Sequence, residues 1–259
     1  MADKSRIEWT EATWNPVTGC SKVSPGCAHC YAETLSLRWK RSEKPWTPAN
    51  AAENVKLHPD RLEQPICWGR PRMIFVNSMS DLFHELVPFE FVTQVFDVMA
   101  TADHHAFQIL TKRPERALEF SAWLREQRNA KGEFGVLPNV WLGVSIENSR
   151  FTWRADVLRE IPAAVRFISA EPLLGSLFDD GSRHGAVLNL AGIDWLIAGG
   201  ESGHGYRPVD VRWVRELRDA CGSAGVAFFF KQWGGRSPRA GGRELDGLTH
   251  DALPRELAV

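Results

Sequence analysis

VWLGVSIENSRFTWRADVLREIPAAVRFISAEP, residues Val140–Pro172, holds two apolar runs around one helical stretch. VWLGVS (Val140–Ser145) and VRFISA (Val165–Ala170) are short and nearly unbroken in hydrophobicity, as a strand covered on both faces must be. Between them, SRFTWRADVLREI (Ser149–Ile161) spaces its apolar residues as a helix does. Strand, crossover helix and second buried strand make a βαβ unit, in which the two strands run parallel.

The same pattern continues on both sides. MIFVNS (Met73–Ser78), FQILTK (Phe107–Lys112), WLIAGG (Trp195–Gly200) and VAFFFK (Val226–Lys231) read as further strands. PFEFVTQVFDVMATA (Pro88–Ala102), PERALEFSAWLREQR (Pro114–Arg128) and VDVRWVRELRDACGSAG (Val209–Gly225) read as helices, two opening on Pro and the last closing in a Gly-rich stop. One more strand before Cys20 brings the total to about seven, one short of a full (β/α)8 barrel. The expected fold is therefore α/β, a partial TIM-like (β/α) barrel of about six to seven parallel strands. It forms a single domain over residues 1–235, with residues 236–259 as a C-terminal loop or extension. The Gly- and Asp-rich Leu174–Ile193 reads as a solvent-exposed insertion.

Six strands in succession end in polar strings: NSMSD (Asn77–Asp81), TKRPE (Thr111–Glu115), SIEN (Ser145–Asn148), SAEP (Ser169–Pro172), GGES (Gly199–Ser202) and KQWGG (Lys231–Gly235). In parallel barrels the carboxyl ends of the strands assemble the active site. Any one of these residues could simply cap the next helix. Repetition at six strand ends points instead to one shared cavity.

Composition bounds the function. Of 259 residues, 44% are hydrophobic and 24% charged, ordinary for a soluble protein, and the net charge of −1 argues against a general nucleic-acid coat. A local patch can still hide in that balance: RWKRSEK (Arg38–Lys44) and WGRPRM (Trp68–Met73) interleave basic residues with Trp and could contact phosphate while a ring stacks. The alternative is a solvated helix face and a loop before a strand. Most of the eleven tryptophans are expected in the core. No run approaches ~18 apolar residues, and the N-terminus lacks the apolar stretch of a signal peptide, so a cytoplasmic protein without membrane contact is expected.

NPVTGCSKVSPGCAHCYAE (Asn15–Glu33) carries Cys20, Cys27 and Cys30, three of only five cysteines. An odd, clustered set is a poor disulfide framework and a good metal site. Cys27 and Cys30 form a two-residue bite, with Gly26 easing the turn. A zinc site would need a fourth ligand, for which His29, Cys67 and Cys221 are candidates. For Cys67 and Cys221 the plainer reading is a buried free thiol. Three thiolates alone suit a [4Fe-4S] cluster with one iron left open.

A three-cysteine loop ending C-x-x-C-Y after the first strand of a partial barrel resembles the radical S-adenosylmethionine (SAM) superfamily. That resemblance implies a [4Fe-4S] cluster held by Cys20, Cys27 and Cys30, whose open iron binds the amino and carboxylate groups of SAM. It also implies an electron donor that reduces the cluster, reductive cleavage of SAM to a 5′-deoxyadenosyl radical, and Tyr31 as the aromatic residue near adenine. The superfamily's usual spacing is C-x3-C-x2-C, whereas this loop reads C-x6-C-x2-C.

The longer string W-N-P-V-T-G-C-x-K-V-S-x-G-C-x-x-C-Y-A (Trp14–Ala32), with NSMSDLF, LTKRP, GVSIEN, ISAEPLL, AGGESG and FFKQWG, resembles an uncharacterised phage- and prophage-borne family over about residues 5–235. This second resemblance implies the same cluster-binding fold and a three-Cys-motif partner protein, without supplying a substrate. Its strings make Ser78, Asp81, Lys112, Arg113, Ser145, Glu147, Glu171, Glu201, Lys231 and Gln232 cofactor-binding candidates. A carboxylate such as Glu147 or Glu171 could hold the ribose hydroxyls or the ammonium of SAM, and Lys112 or Arg113 a carboxylate or phosphate. Three functions compete: a radical SAM enzyme acting on nucleic acid or a nucleotide, a zinc-stabilised binding module for nucleic acid or a partner protein, and a cluster-containing DNA repair protein without SAM cleavage.

Overall fold

The computed structural model describes residues 5–129, 135–178, 187–238 and 240–254. The main sheet within them has seven strands: β1 Ala12–Trp14, β2 Met73–Val76, β3 Ala106–Thr111, β4 Val140–Ser145, β5 Val165–Ala170, β6 Trp195–Gly199 and β7 Ala227–Gln232. They make one parallel sheet whose spatial order is their chain order. Each strand is added beside the last, without the reversal of a doubly wound sheet, which is how a (β/α) barrel is wound. Seven such strands give the partial TIM-like barrel expected from the sequence.

Five helices of eight or more residues occupy the connections among the described residues: α1 Tyr31–Arg38, α2 Phe89–Thr101, α3 Pro114–Asn129, α4 Trp153–Glu160 and α5 Val211–Ala224. Pro114 opens α3, while Pro88 is the residue just before α2, where its fixed φ sets the entry without removing a helical donor. Asp210 starts α5 by accepting the backbone N–H of Arg212. No helix is long and apolar enough to cross a membrane among the described residues.

The chain divides into two compact units. The first comprises residues 5–23, 30–142 and 160–164; the second comprises residues 24–29, 143–159 and 165–254. In the first, β1 and β2 pair in parallel with Ala12 opposite Ile74, and β2 pairs with β3 with Met73 opposite Ala106. Trp14, Ile74, Val76, Phe107 and Ile109 are buried from these strands, Val95 and Met99 from α2 and Phe120 from α3. The indole N–H of the fully buried Trp14 donates to the Arg61 carbonyl at 2.8 Å, so burying this ring strands no donor.

In the second unit β5, β6 and β7 pair in parallel, with Phe167 opposite Trp195 and Trp195 opposite Ala227. All five residues of β6 are buried, the condition its unbroken hydrophobicity anticipates. The C-terminal segment contains a hairpin, Glu244–Leu245 with Leu248–Thr249, and docks along β7 through Phe230 N–H to the His250 carbonyl at 2.9 Å. Trp195 reaches the same segment, its indole donating to the Ala252 carbonyl at 2.9 Å.

The expected exposed insertion at Leu174–Ile193 is corrected where it is described. Leu177, Leu188, Leu190 and Ile193 are buried, and Leu188 N–H bonds the Leu177 carbonyl. These apolar residues hold the described part of the segment; residues 179–186 lie outside the described residues.

Candidate metal centre

In the first unit the loop reaches Cys20 through Gly19, which carries a φ of +83°. A Cβ there would stand 1.9 Å from the Asn54 carbonyl oxygen, so any side chain would break the approach that fixes Cys20. Cys20 and Cys30, both half-buried, pack against the same small cluster of Ala32, Trp46 and Met79.

Arg113 is the polar hub beside Cys20. It is 5% exposed. Its guanidinium donates to Cys20 Sγ at 3.5 Å, to the Ser21 carbonyl at 3.1 Å and hydroxyl at 3.0 Å, to Glu85 at 3.0 Å and to Asp81 at 3.4 Å. Burial alone would lower the Arg113 pKa, but Asp81, Cys20 and Glu85 outweigh it and the pKa is raised. Cys20 therefore lies next to a fixed positive charge, which favours a thiolate.

Asp81 orients that hub. It accepts the Thr111 hydroxyl at 2.8 Å and the backbone N–H groups of Phe83 and Lys112 at 3.0 Å each. His84 completes the network: its Nδ1 accepts Leu86 N–H at 3.1 Å, so Nε2 carries the proton donated to Ser21 Oγ at 2.9 Å. Burial, then the neighbouring Arg113 charge, lowers the His84 pKa and keeps the ring neutral. Nearby, Asn15 Oδ1 accepts Ser78 Oγ at 3.2 Å and Met79 N–H at 2.9 Å, and the Tyr31 hydroxyl donates to the Ser78 carbonyl at 2.5 Å. The Tyr31 side chain is pinned at its tip and 51% exposed.

In the second unit, residues 24–29 carry Cys27 and are held by two strand-end carboxylates. Glu147, just beyond β4, is 0% exposed. It accepts the Ser24 hydroxyl on one oxygen and Arg154 at 3.0 Å on the other. A Cβ on Gly26 would come within 2.5 Å of Glu147 Cγ and Oε1, so the glycine lets the loop lie directly on the carboxylate. Arg154, on α4 and equally buried, also donates to the Ser145 carbonyl at 2.8 Å. Ser24 Oγ lies 3.8 Å from Cys27 Sγ.

Glu201, beyond β6, makes the second anchor. One of its oxygens accepts His29 Nδ1, Arg207 N–H and Arg207 Nε, all at 2.9 Å; the other accepts Arg207 Nη2 at 2.5 Å. Arg207 continues to the Pro25 carbonyl at 3.0 Å. Burial alone would raise the Glu201 pKa, yet hydrogen bonds from Arg207 and His29 hold it down at about 2.

The sequence of a family described as a protein of unknown function, DUF5131, matches this chain over residues 4–254. The chain belongs to the DUF5131 family. No curated protein and no solved structure matches it. The family match carries no activity for this DUF5131 chain.

The site residues read from the sequence fall into two sets. Cys20, Cys30, Tyr31, Ser78, Asp81, Lys112 and Arg113 lie in the first unit; Cys27, Ser145, Glu147, Glu171, Glu201, Lys231 and Gln232 lie in the second. Glu171 is paired with Lys231 at 2.6 Å, both partly exposed. Gln232 donates to Ser202 Oγ at 2.8 Å and to the Gly200 carbonyl at 3.2 Å. Sequence reasoning missed Ser21, Ser24, His84, Glu85, Arg154 and Arg207, whose partners become neighbours only on folding. None of the five cysteines is in a disulfide. Cys221 is buried as expected, its thiol pushed up to about 12 by desolvation, but Cys67 is exposed, because the short turn Pro65–Cys67 faces it outward.

Among the described residues, no three His, Cys, Asp or Glu side chains are grouped to hold a metal ion. A single ion requires such convergence, whereas a four-iron cluster takes each thiolate on a different iron. The donor chemistry fits the cluster: three partly exposed cysteines outside disulfides, one beside a fixed cation.

The Glu201 anchor predicts acid sensitivity. A carboxylate held near pKa 2 stabilises the fold above its ordinary value of about 4.5 and loses that contribution as pH falls from roughly 5 to 2, on the order of 3 kcal/mol. Thermal melting of cluster-free protein across that window should therefore fall steeply, and Glu201→Gln should flatten the fall. An unchanged pH slope in the variant would refute the anchor.

Proposed function

We propose that this DUF5131 chain is an iron–sulfur protein of the radical SAM type, acting on a nucleic acid or nucleotide. The observation that carries the reading is the loop Cys20–Cys30, whose three cysteines stand outside disulfides on a segment with dedicated anchors. Arg113 lies at Cys20, and Glu147 and Glu201 hold residues 24–29. Cys20, Cys27 and Cys30 would hold a [4Fe-4S] cluster. Bound there, the cluster would offer its remaining iron to the amino and carboxylate groups of SAM and pass it an electron.

The protein's own residues supply the rest. Arg113 offsets the negative charge that thiolate ligands bring to a half-buried place. Tyr31 follows the last thiol with its hydroxyl fixed to Ser78 and its ring half open, suited to stack on adenine. The partly exposed Glu171–Lys231 pair offers polar contacts to SAM. Glu147 and Glu201, enclosed by Arg154 and Arg207, position the loop instead of touching the cofactor. The reading also requires an electron donor, and the resemblance adds a three-Cys-motif partner protein.

Anaerobic reconstitution tests the reading in two stages. Iron and sulfide analysis is expected to give about four of each per chain, and reductant with SAM is expected to release 5′-deoxyadenosine. Zinc as the only metal retained anaerobically would sink the cluster. A full cluster that neither binds nor cleaves SAM would sink the radical step alone.

A further inference from the structure

The basic stretch after α1 is built into a rigid surface notch. Lys40, Arg41, Ser42, Glu43, Lys44, Glu53, Asn54 and Lys56 line an open space of about 510 Å³. Two backbone N–H groups, from Arg41 and Ser42, converge on the Ser36 carbonyl at 2.8 and 3.2 Å, and Lys40 adopts a φ of +52° to make that turn. The Asn54 amide donates to the Pro45 carbonyl at 3.1 Å across the same fold of chain. The cations therefore stand on a fixed frame.

Charge and aromatic surface coincide there. Lys44 is taken by Glu53 at 2.7 Å, while Lys40, Arg41 and Lys56 make no ion pair among the described residues. Trp39, next in the chain, is 52% exposed, and the Arg41 guanidinium lies 4.8 Å from its ring centre. No other tryptophan is exposed among the described residues. At the second basic stretch Trp68 is only half-exposed, which makes it the weaker candidate.

The notch is also joined to the cysteine side of the same unit. Ser42 Oγ accepts the Trp46 indole N–H at 3.0 Å, and the body of Trp46, 3% exposed, is where Cys20 and Cys30 pack. One buried ring forms the wall between the cations and two of the thiols.

We propose that this notch binds single-stranded nucleic acid, with Lys40, Arg41 and Lys56 on the phosphates and Trp39 stacked on a base. Inorganic phosphate would satisfy the cations but leave the indole unused. A single strand uses both and tolerates any sequence, because every base has a face. The proposal names a substrate class for the reading above and rests on it for its purpose, while the binding itself needs no cluster.

The test titrates labelled single-stranded DNA and RNA oligonucleotides into full-length protein, cluster-loaded and cluster-free, across a salt series. Affinity is expected to fall with salt at a log–log slope of about −2, as three phosphate contacts on a single strand give. Lys40→Glu with Arg41→Glu should weaken binding at least about tenfold and flatten the slope. Trp39→Ala should weaken it by roughly fivefold to a hundredfold with the slope unchanged. Both variants should load iron as the parent does, and circular dichroism checks their folding. Absent binding at low salt, parental affinity in both variants, or full competition by inorganic phosphate at matched ionic strength would overturn the proposal. Binding by a protein that takes up no iron would refute the cluster reading and leave the notch standing.

Discussion

Replacing Arg154 by Met is expected to destabilise the fold by roughly 3–5 kcal/mol, because it leaves Glu147 charged and fully enclosed. The Arg154 guanidinium meets Glu147 at 3.0 Å and the Ser145 carbonyl at 2.8 Å, and its side chain is 2% exposed. Met keeps most of the packing volume but supplies no charge and no donor. The Ser24 hydroxyl would still donate to Glu147, but a neutral donor does not replace the lost guanidinium charge. Urea unfolding measures the effect. Adding Glu147→Gln to Arg154→Met should recover much of the loss, since a neutral pair no longer traps a charge. A loss below about 1 kcal/mol in the single variant would mean that Arg154 does not hold Glu147 in place, and the role of Glu147 as loop anchor would go with that result.

The fold was legible because its strands are buried on both faces. Continuous runs such as Val140–Ser145 and Val165–Ala170 coincide with β4 and β5 residue for residue, since nothing in them competes with a parallel sheet. Leu174–Ile193 was misread because Leu177, Leu188, Leu190 and Ile193 are buried without any period, and periodicity is the signal a sequence offers. Cys67 was misread because an apolar neighbour says nothing about which way a short turn faces.

The candidate site was legible as residue types and not as roles. GVSIEN announces a carboxylate at a strand end, yet whether Glu147 meets a ligand or Arg154 depends on a helix residue seven positions later and on Ser24, 123 positions away. Arg113 was read as an open anion receptor. Its fork is filled by Ser21, Asp81, Glu85 and Cys20, which come from two separate strand-end loops. Strand-end carboxylates were expected to face a cofactor, and two of the three instead position the loop that carries Cys27. Within each unit, buried charged residues hold the cysteine segment, through Arg113 in the first and through Glu147 and Glu201 in the second.

The largest effect belongs to the cysteines themselves. Cys20→Ala, Cys27→Ala and Cys30→Ala are each expected to reduce reconstituted iron from about four per chain to near zero, with loss of the brown charge-transfer absorption. Three thiolates are the fewest that leave only one iron open, and a chain with two has no third thiolate in the loop. Cys221 cannot serve as one: it is fully buried, and burial holds its thiol protonated with a pKa of about 12. Cys221→Ala and Cys67→Ala should therefore load iron like the parent chain, and these two controls separate ligand loss from a general effect of removing a thiol. Arg113→Leu should lower iron retention without abolishing it, since it removes the cation beside Cys20 and no ligand. A Cys27→Ala chain that keeps its full iron and absorption would show that residues 24–29 are anchored for some purpose other than holding a cluster. Iron retained equally in all three variants would place the metal elsewhere.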